Sequence, residues 1–279
     1  MAEVERVAAG ALDAAGLDAR DTPLLIEGGA AGMPACARWS AEYLGARLGR
    51  VVVAHKLSQS HRHPDFHAAT LGEMFARETR PLGELIELCT SGAAAERARR
   101  LFTGDERFLL QRRGGVTRVD PELAPLLEDA PVPALVPAER LYTVWAWLSG
   151  TGVRTWLHYD NNGCHNLNAQ ITGEKSCALY PPETLAAARL FPPGGRNPAV
   201  NCSSLDVEDP DLPEDFRAAE HHDAHLGAGD LLFIPAWWLH TFRHHGDFNS
   251  NVNYWWKPER ARDNPIARRQ AEIDATRLS

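Results

Sequence analysis

Apolar residues recur through the first hundred positions at intervals of three and four, the spacing of helices with one face turned to a core. In the opening stretch Val4, Val7, Ala8, Ala11, Leu12 and Ala15 keep this period, so an amphipathic first helix is expected. Further helices are expected near 39–48, 70–78, 81–89 and 92–102, with a capping box at Thr70 and Glu73. Two short apolar runs, 24–26 and 51–54, end near turn or polar residues and read as strands between the helices. After about Asp105 the texture changes to short runs rich in aromatic and β-branched residues. They fall near 107–112, 141–148, 153–158, 166–172, 176–180, 222–226, 231–234, 238–243 and 249–256, separated by Gly, Pro or Asn clusters. Many short strands at this spacing predict a closed or sandwich-like antiparallel sheet, giving a mainly β chain with flanking helices, an α+β class.

Three parts follow from this pattern: a mainly helical segment 1–106 packed on the core, a β core over 107–257, and a C-terminal segment 258–279. Within the core, 181–220 is a long, Pro-rich, acidic insertion without clear strand pattern, of the kind that more often serves as a functional lid than as filler. From about Pro265 a charged helix keeps Ile266, Ala267, Gln270, Ala271, Ile273 and Ala275 on part of one face. That stripe suits the core or a second copy of the chain, so a homodimer is one candidate assembly.

Composition narrows the function classes. The 279 residues are 44% hydrophobic and 24% charged, which fits a globular protein rather than a disordered one. No apolar run approaches the roughly 20 residues needed to span a bilayer. The net charge of −8 argues against nucleic acid or an anionic membrane as the main partner, while leaving room for a local basic patch. The five cysteines are an odd number without a C-x-x-C pair, so they read as reduced thiols and not as disulfides or a cysteine zinc site. Glu3 and Glu5 stand where a signal peptide would carry positive charge, and a cytoplasmic location is expected.

The chemistry begins at 155–160, Thr-Trp-Leu-His-Tyr-Asp. On a strand His158 and Asp160 project to the same face and supply two of the three ligands of a two-histidine, one-carboxylate site that holds Fe(II) with positions left open. Alone, this pair is a weak signal and reads first as a surface pair before the turn Asn161-Asn162-Gly163. The candidate third ligand is His240, after the run Pro235-Ala236-Trp237-Trp238-Leu239. His240 and His244 also form an H-x-x-x-H pair, but Thr241 stands where a zincin has Glu, and the flanks are strand-like. The other histidines read as polar surface or core partners.

The stretches HYDNNGCHNLNAQITGEKSCALYPP (158–182), GDLLFIPAWWLH (229–240) and NVNYWW (251–256) together resemble the cupin-like branch of the JmjC oxygenases. In pattern they are closest to the asparaginyl hydroxylase that inhibits hypoxia-inducible factor. The acidic segment 203–216 and the lead-in 24–49 extend the resemblance over roughly 24–256. It implies a double-stranded β-helix (jelly-roll), Fe(II) on His158, Asp160 and His240, 2-oxoglutarate as co-substrate and O2 as oxidant. Lys175, alone among lysines between Lys56 and Lys257, matches the cation that pairs with the C5 carboxylate, and Thr155 the hydroxyl that assists it. A dicarboxylate deep in a barrel needs such a fixed cation, since an unpaired buried carboxylate costs several kcal/mol. Asn166 and Asn253 match amides that position the chelating end, in strands where amides are otherwise disfavoured. Trp255 matches a wall position near the metal.

Three departures stand out. The loop between Asp160 and Asn166 is two residues longer than in that hydroxylase, Leu109 replaces a co-substrate-contacting tyrosine, and the short C-terminal region leaves the relative's helical dimer interface in doubt. The implied reaction is hydroxylation of an unactivated C–H bond with succinate and CO2 as co-products. A small molecule, amino acid or short peptide is the expected substrate, because the longer loop and the insertion can close over the site. The alternatives are a protein hydroxylase or demethylase, a cupin metalloenzyme that does not use 2-oxoglutarate, and a non-catalytic binding module.

Overall fold

The computed structural model describes residues 2–58, 75–91, 100–102, 108–195 and 199–278. Its frame is two long antiparallel strands, β10 (His165–Tyr180) and β13 (Leu239–Trp256), paired from His165↔Trp256 to Tyr180↔Leu239. Two register shifts interrupt the ladder, between Gln170 and Thr172 and between Thr172 and Glu174. Gly173 sits there at φ +73, and a Cβ on it would lie 2.5 Å from the Phe248 carbonyl oxygen. Such bulges bend a strand and change which side chains face inward. Before the bulge Asn166, Asn168 and Gln170 point into the barrel; after it Lys175, Cys177 and Leu179 are buried while Glu174 is exposed.

Each half of the long strands therefore joins different neighbours. The first half of β10 pairs with β12 (Leu231–Ile234), and β12 with β3 (Leu24–Glu27). The second half pairs with β11 (His222–Leu226). On the far side β13 pairs with β9 (Leu141–Gly150), and the sheet continues through β6 (Arg100–Phe102), β4 (Val52–Ser58) and β5 (Phe75–Pro81). The result is a mainly β jelly-roll core, with the helices of the first half on one outer side. Leu167, Ala169 and Ile171 of β10, Val144, Ala146 and Leu148 of β9 and Val252, Tyr254 and Trp256 of β13 form one apolar core with Leu44, Leu48, Leu82, Leu85, Ile86 and Leu126. Those leucines and Ile86 come from α3 (Ala41–Leu48), α4 (Leu82–Ser91) and α5 (Ala124–Asp129), which follow α1 (Ala14–Asp18) and α2 (Pro34–Arg38).

Several expectations need correction. The N-terminus is not one helix: β1 (Ala2–Glu3) pairs in parallel with β11, and β2 (Glu5–Ala8) with β3. Strand pairing at the sheet edges outweighs the helical spacing of Val4 and Val7, and only Ala14–Asp18, capped by Asp13 through the Gly16 amide, is helical. Residues 75–78 and 100–102 are strands rather than helix ends because β9 offers an edge that β6, β4 and β5 extend. Thr70, Glu73 and 92–99 lie outside the described residues. The run 153–158 makes isolated bridges, Arg154↔Arg243 and His158↔His240, instead of a regular strand. In the 107–112 run the strand is β7 (Leu110–Arg113), which turns back into β8 (Val116–Val119) through Gly114 and Gly115 at positive φ. The helices near 39–48 and 81–89 are present, as is the C-terminal one, α6 (Pro265–Leu278), whose Ile266, Gln270 and Ile273 are buried. Among the described residues no helix is long and apolar enough to cross a membrane.

Candidate metal centre

The segment carrying two of the ligands is held from both sides. His158 N–H donates to the His240 carbonyl at 3.1 Å and His240 N–H returns to His158 at 2.7 Å. On the other flank Tyr159 N–H donates to Asn201 O, Ser203 N–H to Leu157 O, and the Asn201 amide to Tyr159 O. Residues 201–203 belong to the 181–220 insertion, so that part of the insertion is a clamp on the ligand segment. Arg154, paired with Asp206 and Glu208, and Arg243, paired with Glu208, fasten it further.

This backbone brings one ligand atom each from His158, Asp160 and His240 within 4.8 Å of one another. Both histidines are fixed in the same way: Nδ1–H donates to the carbonyl two residues back, Trp156 O at 2.7 Å and Trp238 O at 3.0 Å. That leaves each Nε2 lone pair for a metal. Burial, helped by the neighbouring His158, pushes the His240 imidazole down to about 4, so it is neutral and able to ligate at neutral pH. Asp160 Oδ2 accepts Asn166 Nδ2–H at 3.0 Å and the Trp255 indole N–H at 2.8 Å, which leaves Oδ1 for coordination. Two imidazoles and one oriented carboxylate form the donor set that suits non-haem Fe(II).

From Asp160 a line of amides runs into the barrel. Asn253 Nδ2–H donates to Asn166 Oδ1 at 2.8 Å, Asn168 Nδ2–H to Asn253 Oδ1 at 3.4 Å, and Lys175 Nζ to Asn168 Oδ1 at 2.7 Å. Asn251 also donates to Asn253, at 2.6 Å. Lys175 is only 1% exposed, lies 4.6 Å over the Phe242 ring, and has no carboxylate partner among the described residues. Burial pushes its ammonium down to about 7. An unpaired buried ammonium is costly unless an anion joins it, so the site fits a carboxylate-bearing ligand.

All eight residues singled out in the sequence can be placed. His158, Asp160 and His240 converge; Asn166 and Trp255 hold the carboxylate; Asn253 links Asn166 to the Lys175 end. Thr155 Oγ1 accepts the Phe242 N–H at 2.8 Å, and the described contacts do not join it to Lys175. Leu109 is fully buried in the helix-side apolar core, not in the barrel. Asn168 and Asn251 went unrecognised, although Asn at every second position over 166–168 and 249–253 is a readable signal of one polar strand face. Trp145 and Trp147 also line the interior, and a tryptophan in a strand gives no such signal.

A family model described as a cupin-like domain matches residues 15–262. The tRNA wybutosine-synthesizing protein 5 of Homo sapiens is 29% identical over 249 residues, 84% of this chain and 71% of that protein. Its counterpart in Danio rerio is 32% identical over 205 residues, 71% of this chain and 59% of that protein. The lysine-specific demethylase JMJ31 of Arabidopsis thaliana is 33% identical over 137 residues, 47% of this chain and 24% of that protein. These relatives support a JmjC-type domain without showing the narrower likeness to an asparaginyl hydroxylase. The matched region takes in every strand from β3 to β13 and all three candidate ligands, and the chain belongs to the cupin-like domain family.

Proposed function

We propose that the protein is an Fe(II)- and 2-oxoglutarate-dependent oxygenase that hydroxylates a C–H bond. The observation that carries this is the unbroken line Asp160–Asn166–Asn253–Asn168–Lys175, which ties a three-ligand metal site to a buried cation without a carboxylate. A cupin metalloenzyme with no dicarboxylate to bind has no use for that cation. His158 and His240 would hold the iron through Nε2 and Asp160 through Oδ1, leaving positions open for other ligands. With iron and 2-oxoglutarate bound, the pair supplies the oxidation: one atom of O2 enters the substrate as hydroxyl, the other enters succinate, and CO2 leaves. Lys175 neutralises the distal carboxylate, Asn166 and Trp255 keep Asp160 from rotating, and the closed barrel excludes water from the co-substrate.

The proposed substrate remains a small molecule, an amino acid or a short peptide, in keeping with the net charge of −8. The names of the relatives, which mention tRNA and lysine, favour a second reading in which the reacting group is a base or side chain carried on a macromolecule. Succinate release with Fe(II), 2-oxoglutarate and panels of each class separates the two. For the oxygenase itself, Asp160→Ala is expected to abolish metal binding, and Lys175→Ala to weaken 2-oxoglutarate by about 30- to 4,000-fold. Unchanged 2-oxoglutarate affinity in Lys175→Ala overturns the assignment.

A further inference from the structure

The inward face of β9 carries two indole N–H groups that the protein itself does not satisfy. Val144, Ala146 and Leu148 belong to the helix-side core, so Thr143, Trp145, Trp147 and Ser149 face the barrel. Both ends of this row touch the site already described. The Trp145 ring lies edge-on to Trp255 with centroids 5.0 Å apart, and Trp255 is the donor to Asp160. Ser149 Oγ lies 2.5 Å from His244 Nδ1, and His244 stands opposite Lys175 in the strand register. Trp147 comes between them, opposite Asn251. The two rings are only half-buried, yet Nε1 of each is shut off from solvent and meets no acceptor among the described residues. Folded proteins rarely leave buried donors unbonded, and here it happens at successive inward positions of one strand, between the metal ligands and an unpaired ammonium.

We propose that Trp145 and Trp147 are co-substrate-binding residues: the Trp147 indole donates to the distal carboxylate of 2-oxoglutarate beside Lys175, and the Trp145 indole to the keto-acid end nearer Asp160. This assignment rests on the oxygenase reading above. It makes selectivity for a five-carbon dicarboxylate a property of β9 as well as of Lys175, because a shorter keto acid leaves the Trp147 donor unsatisfied.

The test uses the full chain loaded with Mn(II), titrated calorimetrically with 2-oxoglutarate and with 2-oxobutyrate, a keto acid that lacks the distal carboxylate. Trp147→Phe is expected to weaken 2-oxoglutarate by about 10- to 150-fold, the range for hydrogen bonds to charged groups, with 2-oxobutyrate and Mn(II) unchanged. Trp145→Phe is expected to weaken both keto acids alike. In 15N-labelled, Zn(II)-loaded parent protein, the Trp147 indole proton moves downfield when 2-oxoglutarate is added, a readout that needs no variant to fold. Parent-like affinity in Trp147→Phe, equal losses for both keto acids, or an unmoved indole proton at saturation overturns the Trp147 assignment and leaves the oxygenase reading standing. Mn(II)-loaded parent protein that binds neither keto acid overturns that reading, and this one with it.

Discussion

Asp160 gives one carboxylate oxygen to two N–H donors and keeps the other free, so its orientation is decided by Asn166 and Trp255 rather than by the metal. Removing such a support typically costs 10- to 100-fold in metal affinity. Trp255→Phe is therefore expected to weaken Mn(II) binding by about that factor with the fold intact, which calorimetry and circular dichroism together would check. Lys175 sets a pH dependence whose sign can be worked out. Burial pushes it to about 7 from the usual 10.5, and the titratable groups around it are Cys177 on its own strand and His240 and His244 on β13. A dicarboxylate needs the protonated form. Its affinity should fall as pH rises above about 7, approaching tenfold per pH unit, while 2-oxobutyrate affinity stays flatter. In the ligand-free protein the same shift acts oppositely on stability. Between about 7 and 10.5 the unfolded chain holds a proton that the folded one has lost, so this group adds stability as pH rises. Flat 2-oxoglutarate affinity from about pH 6 to about pH 9 would contradict the role given to Lys175.

Among the elements, the turn between β12 and β13 and the loop after Asp160 are built against each other. Trp237 adopts φ 73, where a non-glycine residue is strained, and its ring lies so close to Gly163 that a Cβ there would come within 2.6 Å of Trp237 Cζ2. Gly163 itself has φ +62. Gly163→Ala thus meets both a backbone and a packing penalty, and a loss of about 1–3 kcal/mol is expected in urea unfolding, with weaker Mn(II) binding because the loop begins at Asp160. The strands of the second half were legible because they are short runs rich in aromatic and β-branched residues between Gly, Pro or Asn clusters. The long strands were not legible as single elements, because Gly173 and Gly246 read as breaks, whereas Gly173 marks the bulge in β10 and Gly246 a positive-φ residue within β13. At the N-terminus Val4 and Val7 are spaced for a helix but are claimed by strand edges that only the folded sheet provides. The metal ligands could be found because the His-x-Asp spacing and the later His240 lie in stretches that resemble the JmjC oxygenases, although 153–158 is no regular strand. Trp145 and Trp147 could not, because in sequence they look like core residues.

At the scale of the whole molecule, Asp18 joins the two ends of the chain to the sheet. It accepts two contacts from Arg140 at 2.9 Å, the Trp256 indole at 2.7 Å and the Glu259 amide at 3.0 Å. Burial alone would raise its carboxyl, but these bonds outweigh burial and hold it below the usual carboxylate range. Asp18→Ala leaves the Trp256 indole unpaired and Arg140 with only the Lys257 carbonyl and Glu139, and a loss of about 3–5 kcal/mol is expected. Next to this node, His165 accepts the Ala236 amide on Nδ1, and its Nε2 finds no bonded partner, with Asp18 3.9 Å away. Burial pushes His165 down to about 4 and His244, inside the barrel, to about 3, from 6.5 in the unfolded chain. As pH falls below about 6.5 the unfolded state takes up protons that these two folded histidines refuse, so stability falls with decreasing pH. Each group contributes up to about 1.4 kcal/mol per pH unit. His240, pushed down to about 4 by burial, is a third such group, so metal-free protein should lose up to about 6 kcal/mol between about pH 6.5 and about pH 5 in urea unfolding. His244→Asn should remove close to a third of that slope without moving the transition at about pH 8, where the histidine is neutral in both states. An unchanged slope in that variant would mean that other groups drive the acid transition.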